Sequence, residues 1–326
     1  MNQNNIYKSF LKKEFNSFFE YRIGLGYSGE RYRSVALKLD NYLFENHPDE
    51  LVLSEEMFNG FITNISHLSD STVNDYIRFV RLLSTYLKSL DIHCYCPDEN
   101  MGKRMINRYN PCLLNENSMR KLFNTIDAYK SPSTSPSLFH IVCPVLFRMM
   151  YCCGLRPNEP GDLKCSDVNL ENGVLTIRYS KRHKTRSIPM SVDLVELCRK
   201  YDSVISGIFP NREYFFVIGN GQKVKPSNIR FWLNRVLKIS GLQLSKKMRP
   251  YDFRHNFATR SILKMHKKGV NPDNYIAKLS AYMGHDSFEE TYHYISLMPE
   301  LLLDLELEID WDYANSALNG VEIDNE

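Results

Sequence analysis

Residues 281–296 read AYMGHDSFEETYHYIS. Two tyrosines stand two positions apart, with two histidines nearby. The stretch is either an aromatic helix packing into a core or the carrier of a tyrosine nucleophile. Gly284 is a natural helix terminator, so His285 opens a new segment rather than extending a core stripe. Tyr292 and Tyr294 fall ~200° apart on a helix, so they face opposite sides and at most one shares a site with His285. The choice depends on whether the rest of the chain supplies the groups a phenol nucleophile needs.

The chain has 326 residues, 43% of them hydrophobic, enough for two domains or one large one with a substantial core. No apolar run approaches the ~20 residues of a membrane span. The start, MNQNNIYKSFLKKEF, lacks the apolar stretch and small-residue cleavage site of a secretory signal. A soluble cytoplasmic protein is the expectation, and eight scattered cysteines with no CxxC pair fit a reducing compartment. His93, Cys94 and Cys96 lack a fourth ligand at zinc-site spacing, so no metal is expected. Charge is unevenly spread. Nine acidic residues and no Lys or Arg follow from Glu300 onward, leaving 41 basic against 29 acidic residues, a net of +12, on residues 1–299. A basic body implies a polyanionic partner; a short acidic tail implies docking or masking.

Helical periodicity dominates the first ninety residues. Ile6, Phe10, Leu11, Phe15, Phe18 and Phe19 follow an i, i+4 rhythm that ends at Gly24 and Gly26. A second helix is expected from Glu30 to Phe44. A third follows the N-cap Ser54, and a fourth starts near Ser71 or Thr72 with Val73, Tyr76, Val80, Leu83 and Leu87 on one face. From Asp91 to Asn110 the rhythm fails, marking a linker. Beyond it, NENSMRKLFNTIDAY and the apolar FHIVCPVLFRMMYCC read as helices, the second buried and ending at Gly154. Strands are expected at 173–180, 186–190 and 214–224, and helices again from Pro226 to about Leu307.

The polar residues near element ends are the chemical candidates. Arg156 follows the buried helix in CGLRPNEPGDL, with Glu159 and Asp162 as possible partners. Lys181, Arg182, His183, Lys184 and Arg186 crowd one hairpin tip, either solvated or reaching a phosphate. In RPYDFRHNFATRSIL, Tyr251, Arg254 and His255 sit at i, i+3 and i+4, sharing a helix face as an oxyanion cradle or a surface cluster.

The ordered set is more specific than any member. Gly-Leu-Arg-x-x-Glu, a hairpin Lys-x-x-Lys-x-Arg-x-x-Pro, Arg-His-x-Phe-Ala-Thr, and Gly-His followed nine residues later by Tyr resemble the tyrosine recombinase (phage integrase) family over nearly the whole chain. The likeness is to the Xer type or a transposon-borne recombinase, encoded by a mobile genetic element, with no further N-terminal arm-binding domain expected. It implies a mainly α fold with a small β-sheet. A helical core-binding domain (1–95) and a linker (96–112) precede an α+β catalytic domain (113–310) and an acidic tail (311–326).

The resemblance also assigns roles. Arg156 and Arg254 match the two family arginines, Lys181 the hairpin lysine, His285 the Gly-His histidine and Tyr294 the nucleophile, leaving Tyr292 structural. Arg182, Lys184 and Arg186 would touch DNA. Tyr251 stands where the family usually has His, and it lacks that group's charge and near-neutral pKa. The implied activity is site-specific DNA recombination through a 3′-phosphotyrosyl link, without cofactor, metal or ATP. Its partners would be two DNA duplexes and a homo-tetramer whose C-terminal helices dock either on neighbours or back on their own chain. A type IB topoisomerase-like enzyme, or a binder of this fold that no longer cuts, are the alternatives.

Overall fold

A computed structural model describes residues 6–27, 32–102, 110–130, 138–178, 185–285 and 289–296. The chain divides into two compact units, Met1–Tyr109 and Asn110–Glu326. No helix among the described residues is long and apolar enough to cross a membrane.

The first unit holds α1 (Lys12–Gly24), α2 (Arg33–Asn46), α3 (Glu55–Asn64) and α4 (Asp70–Lys88). Its core is rich in phenylalanine: Phe15, Phe18, Phe19, Phe58, Phe61 and Phe79 are all buried. Ser54 caps α3 by accepting from the Met57 N–H, as expected; Ser69, not Ser71 or Thr72, caps α4 by accepting from Thr72. α1 starts later than its apolar rhythm suggests. The N–H groups of Lys8 and Ser9 donate to the buried carboxylate of Asp40 at 2.8 and 2.9 Å, which holds that stretch out of the helix. Residues expected to begin the linker are tied to α4 instead. Ser84 Oγ donates to the Tyr95 carbonyl at 2.7 Å, and Arg81 Nε to the Pro97 carbonyl at 3.0 Å.

The second unit is built on α6 (Phe139–Cys153), which is buried along its length. Around it lie α5 (Glu116–Ala128), the single turn α7 (Glu159–Asp162) and α8 (Val192–Ile208). α9 (Pro226–Ser240), α10 (Asp252–Lys267), α11 (Pro272–Met283) and α12 (Glu289–Ser296) complete the helices. The sheet is antiparallel in the order β1 (Val168–Asn169), β2 (Val174–Ile177), β3 (Arg186–Pro189), with Leu175 opposite Ile188 and Ile177 opposite Arg186.

Two sequence expectations change here. Residues 214–224 form only isolated bridges, Lys164 to Tyr214 and Val217 to Lys223, and the third strand is β1. Phe215, Phe216 and Val217 are all buried, so the run fills core on both sides instead of alternating as a strand face does. α8, absent from the sequence reading, buries Leu194, Val195, Cys198, Tyr201 and Ile205 at helical spacing.

α10 is the central strut. Asn256 accepts from the Leu114 N–H at 2.8 Å and donates to the Cys112 carbonyl at 3.0 Å, locking the entry of the unit onto α10. At the end of α6, Gly154 adopts φ +61°, and an added Cβ would stand 2.5 Å from Phe257 Cδ1. Gly154→Ala therefore combines left-handed strain with a clash against an α10 ring, and should cost about 1–3 kcal/mol in urea unfolding. An unshifted midpoint would show that Phe257 yields freely.

Candidate active site

Three helix ends converge. α6 stops at Gly154, α11 stops at Met283 before Gly284, and α10 starts after Tyr251. Helix C-termini present unpaired carbonyls and partial negative charge, which suits cations. Both expected arginines use them. Arg254, fully buried, donates from Nη1 to the Gly154 carbonyl at 2.7 Å and from Nη2 to the Met283 carbonyl at 2.6 Å. Arg156 donates from Nη2 to the Gly284 carbonyl at 2.6 Å. Burial, then the like charge of Arg156, lowers the pKa of Arg254, yet guanidinium basicity leaves it a cation.

One carboxylate joins this cluster. Of the two partners considered for Arg156, the structure selects Glu159, which accepts from the Arg156 backbone N–H at 2.8 Å and from Nη1 at 3.2 Å. Asp162 turns outward to Lys223 at 2.7 Å. Carbonyl dipoles and the Glu159 carboxylate thus face the two guanidiniums.

Tyr294 is 3% exposed and shares a core cluster with Ala258, Ile262, Leu279 and Met283. Its pKa is pushed up to about 12 by burial, with the charge of Arg254 and a hydrogen bond to it pulling the other way. Its ring lies 5.9 Å from that of His285, nearly parallel, and 5.5 Å from that of His255. His255 in turn lies 5.0 Å from the Tyr251 ring, so Tyr251, His255, Tyr294 and His285 form one row. His285 is oriented by Thr291, Nδ1 to Oγ1 at 2.7 Å, and its Nε2 lies 4.0 Å from Glu290. Tyr292, 47% exposed, points the other way, as helical spacing requires.

The structure thus brings Arg156, Arg254, His285 and Tyr294 together, with Tyr251 at the rim, 37% exposed. Lys181, Arg182 and Lys184 lie outside the described residues. Arg186, expected as a DNA contact at a hairpin tip, is held inward. It is the first residue of β3, its side chain is 9% exposed, and both its terminal nitrogens are engaged by Glu159. Thr291 and the helix-end carbonyls escaped the sequence reading. A threonine six residues after Gly-His was its visible sign; backbone acceptors leave none.

The chain is 30% identical over 188 residues to y4rE, an integrase/recombinase-type protein of Sinorhizobium fredii, covering 57% of this chain and 60% of that one. It is 24% identical over 315 residues to y4rB of the same organism, covering 93% of this chain and 99% of that relative. The crystal structure of the XerH site-specific recombinase bound to difH substrate, in a pre-cleavage complex, superposes with a TM-score of 0.63. The identity is 21%, over 91% of this chain and 84% of that one, a likeness of fold. Residues 113–300, which carry every site residue described above, match the model of the phage integrase family, and the chain belongs to that family, the tyrosine recombinases.

Proposed function

We propose that this site-specific DNA recombinase cuts a strand by attack of Tyr294 on the scissile phosphate, forming a 3′-phosphotyrosyl link and a free 5′ hydroxyl. The observation that carries the reading is the buried phenol of Tyr294 beside Arg254, with the His285 ring stacked against it. Attack places extra charge on the nonbridging oxygens of a five-coordinate transition state. Arg156 and Arg254 can stabilise that charge without reorganising, because helix-end carbonyls already hold them. His285, oriented by Thr291, hydrogen-bonds the phosphate. Lys181 protonates the leaving 5′ oxygen, as an ammonium whose pKa falls readily near other cations.

Tyr294 is almost wholly neutral at pH 7, so its proton leaves during attack rather than before it, passing to the imidazole of His255, whose ring lies 5.5 Å from the phenol ring. Tyr251 offers a hydroxyl rather than an imidazole at the family's usual histidine position, which makes it a hydrogen-bonding group and not a base. Reversal by another strand's 5′ hydroxyl conserves the bond, so religation needs no ATP. The test is covalent adduct formation on a pool of nicked duplexes of randomised sequence, resolved on a denaturing gel. Its absence on every duplex would favour a non-cutting binder; relaxation of supercoils without joining of two sites would favour a topoisomerase-like enzyme.

Exchange between two duplexes requires four cuts, hence four copies, acting in the cytoplasm where the DNA is. We place the contact between copies at a cavity of about 670 Å³ lined by Phe257, Arg260, Lys264, Lys267 and Lys268. The acidic-apolar stretch PELLLDLELEIDW (299–311), outside the described residues, complements it in charge and apolarity. The double variant K264E/K267E should bind one duplex normally but fail to form the larger two-duplex complex in sedimentation. Unchanged assembly would move the contact elsewhere.

A further inference from the structure

Arg186 and Glu159 form a two-bond fork, Nη1 to Oε1 at 2.8 Å and Nη2 to Oε2 at 2.7 Å. The same carboxylate orients Arg156 through its backbone N–H and one longer side-chain bond of 3.2 Å. The sharing is unequal. Arg186 takes two short parallel bonds, the strongest geometry for this pair. Arg156 keeps its other terminal nitrogen on the Gly284 carbonyl. All three side chains are mostly buried, at 17%, 7% and 9% exposed for Arg156, Glu159 and Arg186. In such surroundings a carboxylate with a single guanidinium partner largely cancels its charge.

Resting on the recombinase reading, we propose that Arg186 is a positioning residue: it occupies Glu159 in a fork, so that Glu159 orients Arg156 without neutralising it and leaves the Arg156 charge for the scissile phosphate. Remove Arg186, and Glu159 has Arg156 as its nearest strong partner, already bonded to it through Nη1 at 3.2 Å. The protonation balance agrees. Burial pushes the Glu159 carboxyl up, but Arg186, the Arg156 N–H and the charge of Arg254 together hold it below its ordinary value. Arg186 also supports the neighbouring turn. A Cβ at Gly284, where φ is +63°, would meet Arg186 Cδ at 3.1 Å, so its stem packs directly against the glycine preceding His285.

The test is a double-mutant cycle on single-turnover adduct formation with the nicked-duplex pool. R186Q should slow cleavage roughly 100-fold, the scale of losing one transition-state donor, with duplex affinity unchanged. In an E159Q background the same change should cost less than about threefold, since no carboxylate remains to quench Arg156. R186K, holding the carboxylate as a point charge without the fork, should fall between wild type and R186Q. Equal losses in both backgrounds, or wild-type cleavage by R186Q, would overturn the proposal. The first would leave Arg186 a mere anchor of β3.

A second measurement does not depend on cutting. Glu159, faced by Arg156, Arg186 and Arg254, has a depressed pKa, so its contribution to stability is present at neutral pH and lost on acidification through that pKa. The stability gap between wild type and R186Q should therefore narrow toward pH 4, and E159Q should abolish this pH dependence. If wild type forms no adduct, the recombinase reading fails and this stability comparison alone decides the coupling. A gap independent of pH then counts against it.

Discussion

Tyr294→Phe is expected to abolish covalent adduct formation on nicked duplexes while leaving duplex binding intact. The lost oxygen is the one that would be joined to phosphorus, so no residual slow rate should remain. Tyr292→Phe should retain the adduct, because Tyr292 is exposed on the opposite face of α12. An adduct surviving in Tyr294→Phe would overturn the assignment. The same variant has a readout free of DNA. The Tyr294 phenol titrates near 12 when folded, against about 10 in an unfolded chain. As pH rises through 10, the unfolded phenol ionises first, so stability falls between pH 10 and 12. That single-group loss, about 2 kcal/mol, should be missing from the phenylalanine variant.

Arg254→Ala should be the most damaging substitution when fold and chemistry are counted together. It removes the donor to two buried carbonyls, Gly154 and Met283, at about 1–3 kcal/mol each, so urea unfolding should show a loss of about 2–6 kcal/mol. Single-turnover cleavage should fall by ~100 to 1000-fold as transition-state charge loses its support. Arg254→Lys separates the two effects. It keeps the charge, but one ammonium cannot span two helix ends and reach Tyr294 as well. It should recover little cleavage; wild-type rates in Arg254→Lys would show that the forked shape is dispensable.

Much of this was legible in the sequence because the relevant signals are local. α4 announces itself through Val73, Tyr76, Val80, Leu83 and Leu87, and Gly154 and Gly284 mark helix ends that the structure places in the left-handed region. The ordered arginine, histidine and tyrosine motifs name side chains that the fold brings near one another. What stayed hidden depends on chain topology. β1 is two residues long, too short for alternation to register. The buried run 215–217 imitates a strand because burial on both sides and strand propensity select the same residues. Arg186 looked like one more cation at a hairpin tip. Only the return of β3 beside α7 shows its partner to be Glu159, 27 positions earlier. Carbonyl acceptors at helix ends carry no side-chain signature.

Helix α12, which carries Tyr294, packs on α10 and α11 of its own polypeptide. Each protomer therefore holds its phenol, both site guanidiniums and the imidazole within a single covalent unit. None of these four must be borrowed from a companion. In the proposed four-copy complex, no copy would then wait on a tyrosine donated by another.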